Sequence, residues 1–575
     1  MKSWSIGEVA RVLGVKAHVI RYWESELPLL SPKKGLSGRR EYSGNEIRLL
    51  LKFRHLLYDR KFTIEGAKRR LWEELGAGDP DVAARFAMIR ADLIDALMTV
   101  RTKLGDGAVD GELMSERDVR DRLEAAGQEG LFEHWAARPE AMKRRLMEDL
   151  ASLDLAQMGE LRDLLRAPRT VAAPATDLSP APYVSLGQSG GDHEARERGE
   201  ELIRGGRAAL LTVAGGQGSR LGYTGPKGMF PITPIRKLTL FALFAEKLLA
   251  ARRWYGAEIP WLIMTGPHNH EATVDYFAAS DWFGLGRDSI HLFMQGSVPA
   301  FSPEGRLLMA TDGGLFFSPN GHGGVIDALR HNGILELMQE QGVEHLFHFQ
   351  VDNPLVRVPD PLFLGFHSRA GAQISSKVIE KAYPEEKLGV IVTAQGTLRV
   401  IEYSDLGEGL MKARDAQGQL LFRQGSIAVH ILDVAFLASP SLRLPWHLAR
   451  KKALTLKPTA EGAEIVERDA VKMEMFVFDA IPAAERALFF ETERAEEFAP
   501  LKNREGHDSI ATCVRGQVEQ AARWLAAAGV DVPRGPGGAP RHLIEISPLF
   551  AMDPAVLAAR RGLLKDSIDE DTLLA

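Results

Sequence analysis

The sequence contains a single cysteine, Cys513, in 575 residues. One thiol excludes a disulfide within the chain and any metal cluster built on several cysteines. The sequence also lacks a run of about 18 apolar residues, the length that a membrane-spanning helix needs. Residues 1–10 are polar and charged where a secretory signal would be apolar. We therefore expect a cytoplasmic protein with no membrane contact.

The chain is too long for one hydrophobic core, and its 45% hydrophobic content is sufficient for several domains. Its charge is unevenly distributed. Residues 1–75 hold 16 Lys and Arg against 9 Asp and Glu, a net charge of +7, so that the remainder carries −13 of the total −6. A basic head on an acidic body is compatible with nucleic-acid binding, although a basic surface alone does not establish it.

Residues 3–75 show the pattern of short helices. Apolar periodicity predicts helices over 6–13 and 16–24 with a tight turn between them, and a further helix begins near Ser43. Within 81–104, apolar residues recur at alternating steps of three and four, which predicts a short coiled coil and a homodimer. Packing of this helix onto its own chain is the alternative. The residues of that seam are Phe86, Ile89, Leu93, Ala96 and Val100.

Changes in composition divide the chain into segments. Residues 117–166 are helical and charged, 167–191 are rich in Pro, Ala, Ser and Gly, and β-like apolar runs alternate with helical patterns from residue 207. The predicted segments are a DNA-binding domain (1–76), a dimerisation helix and linker (77–116), a helical region with linker (117–191), a catalytic domain (192–550) and a C-terminal tail (551–575).

A glycine-rich loop follows a predicted buried strand. Residues 209–213 lead into AGGQGSRLG at 214–222 and then into PKG at 226–228. Glycines let backbone N–H groups approach an anion, and Arg220 and Lys227 add the positive charge that a triphosphate requires. The spacing differs from the dinucleotide fingerprint and from the Walker loop, which argues against NAD binding and ATPase chemistry.

The strand, AGGQGSRLG and PKG together resemble the UDP-N-acetylglucosamine and UDP-glucose pyrophosphorylase family of uridylyltransferases. The resemblance covers roughly residues 117–550 in order. Its further motifs are IPWLIMT at 259–265, QG at 295–296, GHGG at 321–324, VDN at 351–353, IEYS at 401–404, KME at 472–474, FAPLKN at 498–503 and EISPL at 545–549.

This resemblance implies an α/β fold, a Rossmann-like nucleotidyltransferase core of the GT-A-like type with a mixed sheet. The implied reaction forms a UDP-sugar and pyrophosphate from UTP and a sugar 1-phosphate. Such a reaction depends on positioning and charge neutralisation rather than on a covalent nucleophile. Asp352, which follows the strand-like run HLFHFQV, matches the family's metal-binding aspartate, so that Mg²⁺ is the expected cofactor.

The family pattern also assigns the phosphate and nucleotide residues. Arg220, Lys227 and Lys472 match catalytic cations. Gln295 resembles the residue that reads the uracil edge, since an amide offers a donor and an acceptor. The nucleotide would otherwise contact the backbone of Val213, Ala214, Gly215, Gly216 and Gly321.

The sugar phosphate is expected at a larger set of residues, namely His322, Gly389, Glu402, Tyr403, Ser426, Phe476, Phe478 and Lys502. Two of these depart from the pattern. N-acetylhexosamine-specific members carry Asn where this chain has His322 and Ser426, whereas Gly-His-Gly is similar to the UDP-glucose branch. Loss of an amide partner can change discrimination strongly. The acceptor is therefore N-acetylglucosamine 1-phosphate or glucose 1-phosphate, with the overall similarity favouring the former.

The head resembles MerR-type regulators in WSIGEVA at 4–10, VIRYWE at 19–24 and GRREY at 38–42. The resemblance implies an all-α winged helix-turn-helix domain that binds double-stranded DNA. Its recognition helix would present residues to the major groove, and its wing would contact phosphates. The recognition-helix residues are Lys16, His18 and Arg21, and the wing residues are Arg39, Arg40 and Tyr42.

Two other interpretations remain open at this stage. The body could sense UTP or a UDP-sugar without turnover, in a transcription regulator of the MerR type. Alternatively, the head could mediate only self-association of an active enzyme. The matched set of charged residues argues against the first alternative. A dependence of DNA affinity on salt concentration would distinguish the second.

Overall fold

The computed structural model describes residues 4–13, 15–16, 19–20, 23, 33–34, 40–42, 44–54, 116–151, 153–166 and 178–575. Two compact units divide the chain, 1–119 and 120–575. The predicted coiled coil at 81–104, and all of the predicted linker 77–116 except its last residue, lie outside the described residues. No helix in the described ranges is long and apolar enough to cross a bilayer.

The described part of the head combines two helices with a small sheet. Helices Ile6–Leu13 and Gly44–Arg54 accompany strands β1 (Trp4–Ser5), β2 (Lys33–Lys34) and β3 (Arg40–Tyr42), in the antiparallel order β1-β3-β2. The prediction of an all-α head is therefore too narrow. Trp23 and Phe53 pack edge to face in its core, with ring centroids 5.6 Å apart.

A helical segment at the start of the second unit docks on a loop of the catalytic domain. Its helices are Glu116–Ala125, Glu140–Ala151 and Leu155–Arg166. The buried side chain of Gln128 donates to Gly305 O at 2.9 Å and accepts from Leu307 N at 2.8 Å. Asp149 accepts from Leu315 N at 2.8 Å. These contacts satisfy backbone groups that a buried loop would otherwise leave unpaired.

The catalytic domain is built on a ten-stranded mixed sheet, which confirms the predicted fold class. The strands are β4 (Leu178–Pro180), β5 (Ala208–Val213), β6 (Trp261–Thr265), β7 (Ile290–Met294), β10 (His345–Gln350), β11 (Ile374–Glu380), β12 (Val390–Ala394), β13 (Thr397–Ile401), β14 (Gln424–Asp433) and β17 (Ala487–Glu491). The central strands run β10-β5-β6-β7 in parallel, and β14 extends the sheet antiparallel to β10, β11 and β12.

Helices cover both faces of this sheet, so that the central strands are apolar on both sides. Leu210 packs into one core cluster, while Ala209 and Leu211 pack into the other, as the two-residue period of a strand requires. The helices are Leu186–Ser189, His193–Arg204, Leu240–Tyr255, His270–Ala279, Val325–His331, Ile334–Glu340, Pro361–Ala370, Glu408–Met411, Val434–Ala438, Arg494–Glu497, Ile510–Ala527 and Pro554–Ala559.

Smaller paired strands border the main sheet. β8 (Ser297–Pro299) pairs with β9 (Phe317–Pro319), and β15 (His447–Thr459) forms a long antiparallel hairpin with β16 (Gly462–Glu474). β18 (Ile544–Ile546) pairs in parallel with β19 (Thr572–Leu574). The last 25 residues, predicted as a tail, are thus part of the folded second unit, because β19 pairs with β18.

Candidate active site

The expected nucleotide and metal residues meet at one edge of the sheet. Strands β5, β6, β7 and β10 are parallel, so their carboxyl ends share an edge. Val213 ends β5, Gln295 follows β7, and Asp352 lies two residues beyond β10. The carboxyl edge of an α/β sheet is where ligands bind, because loops there leave the strands without crossing the core.

The glycine-rich loop is held open by an asparagine that the sequence did not single out. Asn269 Nδ2 donates to Ala214 O at 2.9 Å and to Gly216 O at 3.2 Å, and its Oδ1 accepts from Gly266 N at 2.8 Å. The side chain is 1% exposed. Because these bonds use loop carbonyls, they leave N–H groups of the loop available to an anion. Only its position shortly after β6 could have drawn attention to it.

Gln295 and Gly321 lie together, as expected for a base-binding site. Gln295 Nε2 donates to Gly321 O at 2.5 Å and to Asn320 Oδ1 at 3.2 Å. Gly321 has φ = 81°, and a Cβ there would lie 2.4 Å from Met475 O. Glycine is therefore required at this position both by the backbone conformation and by the close approach of the segment that contains Met475.

Two of the expected charged residues form an ion pair beside the loop. Lys227 Nζ lies 3.1 Å from Asp352 Oδ2, and both side chains are largely buried. Lys227 also donates its backbone N–H to Gly216 O at 3.0 Å, which ties it to the glycine-rich loop. Arg220 lies in the same loop with its side chain exposed. The pair places one cation and one carboxylate where phosphate and metal would meet.

Lys472 lies on β16, distant in sequence from Lys227 and Asp352. Its side chain faces an aromatic ring. Its Nζ is 5.2 Å from the ring centroid of Phe316. Burial, together with the charge of Lys451, lowers the pKa of Lys472. The pKa of Lys472 is lowered because a partly desolvated ammonium is less stable than one in water. An anionic ligand near Lys472 would raise this pKa again.

Most of the expected sugar-phosphate residues line one cavity of about 200 Å³. Asp352 lines it too, so the residue expected to bind a metal adjoins the residues expected to bind the sugar phosphate. Tyr403 and Phe476 are not part of the lining. Phe476 contacts it indirectly, because its ring stacks on the lining residue Phe478 with centroids 5.2 Å apart. The expected residues that line the cavity are His322, Gly389, Glu402, Ser426, Phe478 and Lys502.

His322 enters the cavity with a defined tautomer. Its Nδ1 accepts a hydrogen bond from Val477 N at 3.2 Å, so the ring proton belongs on Nε2. Burial lowers the pKa of His322 to about 4, which keeps the ring neutral at pH 7. His322 therefore offers a single N–H donor to a ligand, whereas the asparagine of the family pattern would offer an amide.

His447, which the sequence analysis did not identify, packs against the aromatic pair Phe476 and Phe478. His447 stacks on Phe476 with centroids 4.7 Å apart, and its Nε2 lies 2.7 Å from Asp479 Oδ2. The hydrogen bond with Asp479 raises the pKa of His447.

Glu402, which lines the cavity, also has a raised pKa. Burial is the larger cause, and the negative charge of the neighbouring Asp405 is the next. The sugar cavity is thus bordered by groups whose protonation is tuned by their surroundings.

The head residues expected to contact DNA are only partly described. Lys16 is exposed, while His18, Arg21, Arg39 and the side chain of Arg40 lie outside the described residues. Tyr42 is 0% exposed and belongs to the head's hydrophobic core. That burial contradicts the expected phosphate contact of Tyr42, since an aromatic ring in this position is needed for packing.

A glycine-rich loop, a lysine–aspartate pair and a polar cavity at the carboxyl edge of a mixed sheet define an α/β domain for phosphorylated ligands. The sequence profile described as "UTP--glucose-1-phosphate uridylyltransferase" matches residues 175–509, and the profile described as "MerR HTH family regulatory protein" matches residues 4–74.

Known relatives match about three quarters of the chain. A mouse protein named UDP-N-acetylhexosamine pyrophosphorylase-like protein 1 is 36% identical over 473 residues, which cover 76% of this chain and 93% of the relative. The UDP-N-acetylglucosamine pyrophosphorylase of Saccharomyces cerevisiae is 32% identical over 478 residues, covering 78% of this chain and 98% of the relative.

A crystal structure supports the same assignment. The uridine diphosphate N-acetylglucosamine pyrophosphorylase from Trypanosoma brucei, solved with an inhibitor, has a TM-score of 0.67 and 26% identity, and covers 80% of this chain and 98% of its own. The chain belongs to the UTP--glucose-1-phosphate uridylyltransferase family and is an enzyme of the uridylyltransferase class. The family predicted from the sequence motifs is confirmed.

Proposed function

We propose that the second unit transfers uridylate from UTP to N-acetylglucosamine 1-phosphate, forming UDP-N-acetylglucosamine and pyrophosphate. One observation carries the proposal. Lys227, which is tied to the glycine-rich loop, pairs with Asp352, and Asp352 lines the cavity that contains Lys502 and His322. A triphosphate on the loop and a sugar phosphate in the cavity would therefore meet at this ion pair.

The reaction needs the sugar phosphate oxygen to attack the α-phosphorus of UTP in line and to displace pyrophosphate. Several negative charges converge, so catalysis consists of alignment and neutralisation. Lys502 would bind the acceptor phosphate, Lys227 and Arg220 would contact the triphosphate, and Lys472 would act on the developing charge. Gln295 would orient the uracil through its remaining amide oxygen.

Magnesium fits the donor set around Asp352. The described residues contain no group of three or more His, Cys, Asp and Glu arranged to hold a metal by themselves. A single buried carboxylate beside a phosphate site is a common Mg²⁺ arrangement, because the ion takes its other ligands from phosphates and water. Asp352 would hold the ion, which supplies further charge neutralisation.

The acceptor is proposed from two sources. The relatives that match 76% and 78% of this chain carry names that specify N-acetylhexosamine and N-acetylglucosamine. The cavity offers His322 Nε2–H and the Ser426 hydroxyl as short donors where the family pattern has amides. These donors can bind sugar oxygens, so that glucose 1-phosphate is the second acceptor to test.

Pyrophosphate release tests this proposal directly. UTP and Mg²⁺ would be combined with N-acetylglucosamine 1-phosphate or with glucose 1-phosphate, and rates compared. Faster release with N-acetylglucosamine 1-phosphate supports the proposal, and faster release with glucose 1-phosphate refutes the assigned acceptor. UTP binding without release from either sugar would instead favour a sensor of UTP.

We also propose that the head binds double-stranded DNA and that the chain forms a homodimer through residues 81–104. The match of residues 4–74 to the MerR profile and the exposed Lys16 support the first part. DNA affinity should fall steeply and log-linearly with salt concentration, because phosphate contacts release counterions. Binding that is absent at low salt would leave self-association as the role of the head.

A further inference from the structure

A second cavity, of about 100 Å³, lies behind the active site. Helices Leu240–Tyr255 and Ile510–Ala527 and residues 544–552 form most of its wall. The rest of the wall comes from the loop that directly follows Asp352, from residues 233–236 and from Glu496. The two cavities share no lining residue. A ligand of this second cavity would therefore contact the loop that follows Asp352 without contacting the residues that line the first cavity.

Charged residues line the second cavity, and nearly all of them have partners. Arg236 Nε lies 2.6 Å from Glu545 Oε1. Lys247 Nζ donates to the carbonyls of Pro354 and Val356, both at 2.6 Å. These side chains are already satisfied within the protein, so they do not require a ligand.

Glu496, the other carboxylate of the lining, is satisfied in the same way. It accepts from Arg523 Nε at 2.9 Å and from Trp524 Nε1 at 2.7 Å. Both of its oxygens are therefore engaged by protein groups, one of which, Trp524, also lines the cavity. Arg236, Lys247 and Arg357 face Glu496 and Glu545 in the lining. Burial lowers the pKa of Lys247 to about 7, so this lysine carries only part of a positive charge at neutral pH.

Arg357 is the exception. Its guanidinium donates no hydrogen bond within residues 178–575, although the side chain is only partly exposed and lines the cavity. Four carboxylates act on the charge of Arg357, namely Asp360, Glu497, Asp553 and Glu496. Lys377 pairs with the first two at 2.6 Å and 2.5 Å, Val556 N donates to Asp553 at 2.8 Å, and Arg523 donates to Glu496 at 2.9 Å. The guanidinium nitrogens of Arg357 are open to solvent, so an anion could replace water on these donors.

We propose that the second cavity binds a small organic anion, with its carboxylate or phosphate on Arg357 and a short apolar part in the remaining space. Leu243, Leu355 and Met552 supply apolar surface for that part. The volume is smaller than the roughly 150 Å³ that holds a benzene molecule, so a short-chain monocarboxylate is the class that fits best. The site is separate from the substrate cavity and does not depend on which sugar the enzyme uses.

Hydrogen bonds connect this site to the catalytic loops. Arg357 N donates to Glu497 Oε2 at 3.2 Å, and Asn353 Nδ2 donates to Glu497 O at 2.7 Å. Leu501 N donates to Asp352 O at 2.8 Å. An anion on Arg357 would thus act on the loop of Asp352 and on the neighbouring segment that carries Lys502. Any effect must be reciprocal, so substrate binding would change the affinity for the anion by the same factor.

Butyrate titrations monitored by ligand-observed NMR would test the site on the full chain. Arg357→Gln removes the proposed cation, and Arg253→Gln makes the same charge change on the exposed face of helix Leu240–Tyr255. We expect the first substitution to weaken binding by about tenfold or more, as for a lost charge-assisted hydrogen bond, and the second to leave binding unchanged.

Ala521→Leu provides a second test that keeps every charge. Ala521 is buried on helix Ile510–Ala527 and lines the cavity, so a larger side chain would fill it. We expect butyrate binding to be lost in this variant and retained by unsubstituted protein saturated with UTP. Absent saturable binding, or binding that survives both Arg357→Gln and Ala521→Leu, overturns the proposal. Binding that UTP abolishes and that Ala521→Leu leaves unchanged would assign the anion to the substrate site and overturn the proposal as well.

Discussion

Residues 213–216 present main-chain groups at the end of β5, whereas the adjoining sugar cavity presents side chains such as His322, Glu402 and Lys502. One half of the active site therefore consists mainly of backbone groups, and the other half consists mainly of side chains. A backbone site depends on close approach of the main chain, as at Gly215, where a Cβ would lie 3.0 Å from Gln295 Oε1, while a side-chain site can change specificity through one substitution. This difference explains why His322 and Ser426, the departures from the family pattern, both lie on the sugar side.

Asp352, where the two halves meet, should give the largest effect. Asp352→Asn keeps the side-chain shape but removes the charge that pairs with Lys227. We expect kcat/KM for pyrophosphate release to fall by about 10² to 10³, the usual cost of losing one electrostatic contribution to the transition state. Asp275→Asn, an exposed carboxylate on helix His270–Ala279, is the matched control. Full activity of Asp352→Asn would remove Asp352 from the proposed mechanism.

Gly321 tests the backbone half. Gly321→Ala places a methyl group 2.4 Å from Met475 O in a residue with φ = 81°. Backbone strain and the displaced segment should lower the free energy of unfolding by about 2–3 kcal/mol and weaken UTP binding. Chemical denaturation and UTP titration measure both. Gly409→Ala adds a carbon with no atom within 4 Å, in helix Glu408–Met411. It should leave UTP binding unchanged and should not lower the free energy of unfolding, because alanine favours a helix more than glycine does. Equal losses in the two variants would contradict the backbone argument.

His322 tests the side-chain half. His322→Asn restores the amide of the N-acetylhexosamine-specific pattern in place of a ring whose Nδ1 is already bonded to Val477 N. We expect the ratio of kcat/KM for N-acetylglucosamine 1-phosphate over glucose 1-phosphate to rise by about tenfold, because an amide can donate and accept. His331→Asn, at an exposed position, should leave the ratio unchanged. An unchanged ratio in His322→Asn would remove this residue from sugar selection.

The smallest effect is expected at the edge of the sugar cavity. Asp479 raises the pKa of His447, so the protonated pair stabilises the fold below the ordinary histidine pKa, and this contribution is lost as pH rises through the raised value. His447 is 36% exposed, which limits the contribution to less than about 1 kcal/mol.

Unfolding free energies of Asp479→Asn and unsubstituted protein, measured from about pH 6 to pH 9, would test this pair. The difference should be present at the acidic end and decrease toward the alkaline end. Asp469→Asn, whose carboxylate pairs with Lys452 on the hairpin surface, should show no such trend. A difference that grows with pH would contradict the assigned sign.

The amino-acid sequence by itself determined the family, the mixed α/β core and the position of the glycine-rich loop. These features depend on local requirements, namely apolar periodicity in strands, glycine where the backbone approaches an anion, and a carboxylate after a strand. Asp352 and Gln295 could be assigned because parallel strands bring their carboxyl ends to one edge. The pattern of residues around each motif was sufficient for that inference.

Only the tertiary structure decided which side chains share a space. His322, Glu402 and Lys502 are distant in sequence, and packing of β14 against β10 and β12 brings their loops around one cavity. Long-range packing likewise buries Tyr42 in the core of the head and gives Asn269 its role in the loop. It also leaves the guanidinium of Arg357 without a hydrogen-bond acceptor among residues 178–575. Burial and partner choice follow from long-range packing, which local sequence patterns do not specify.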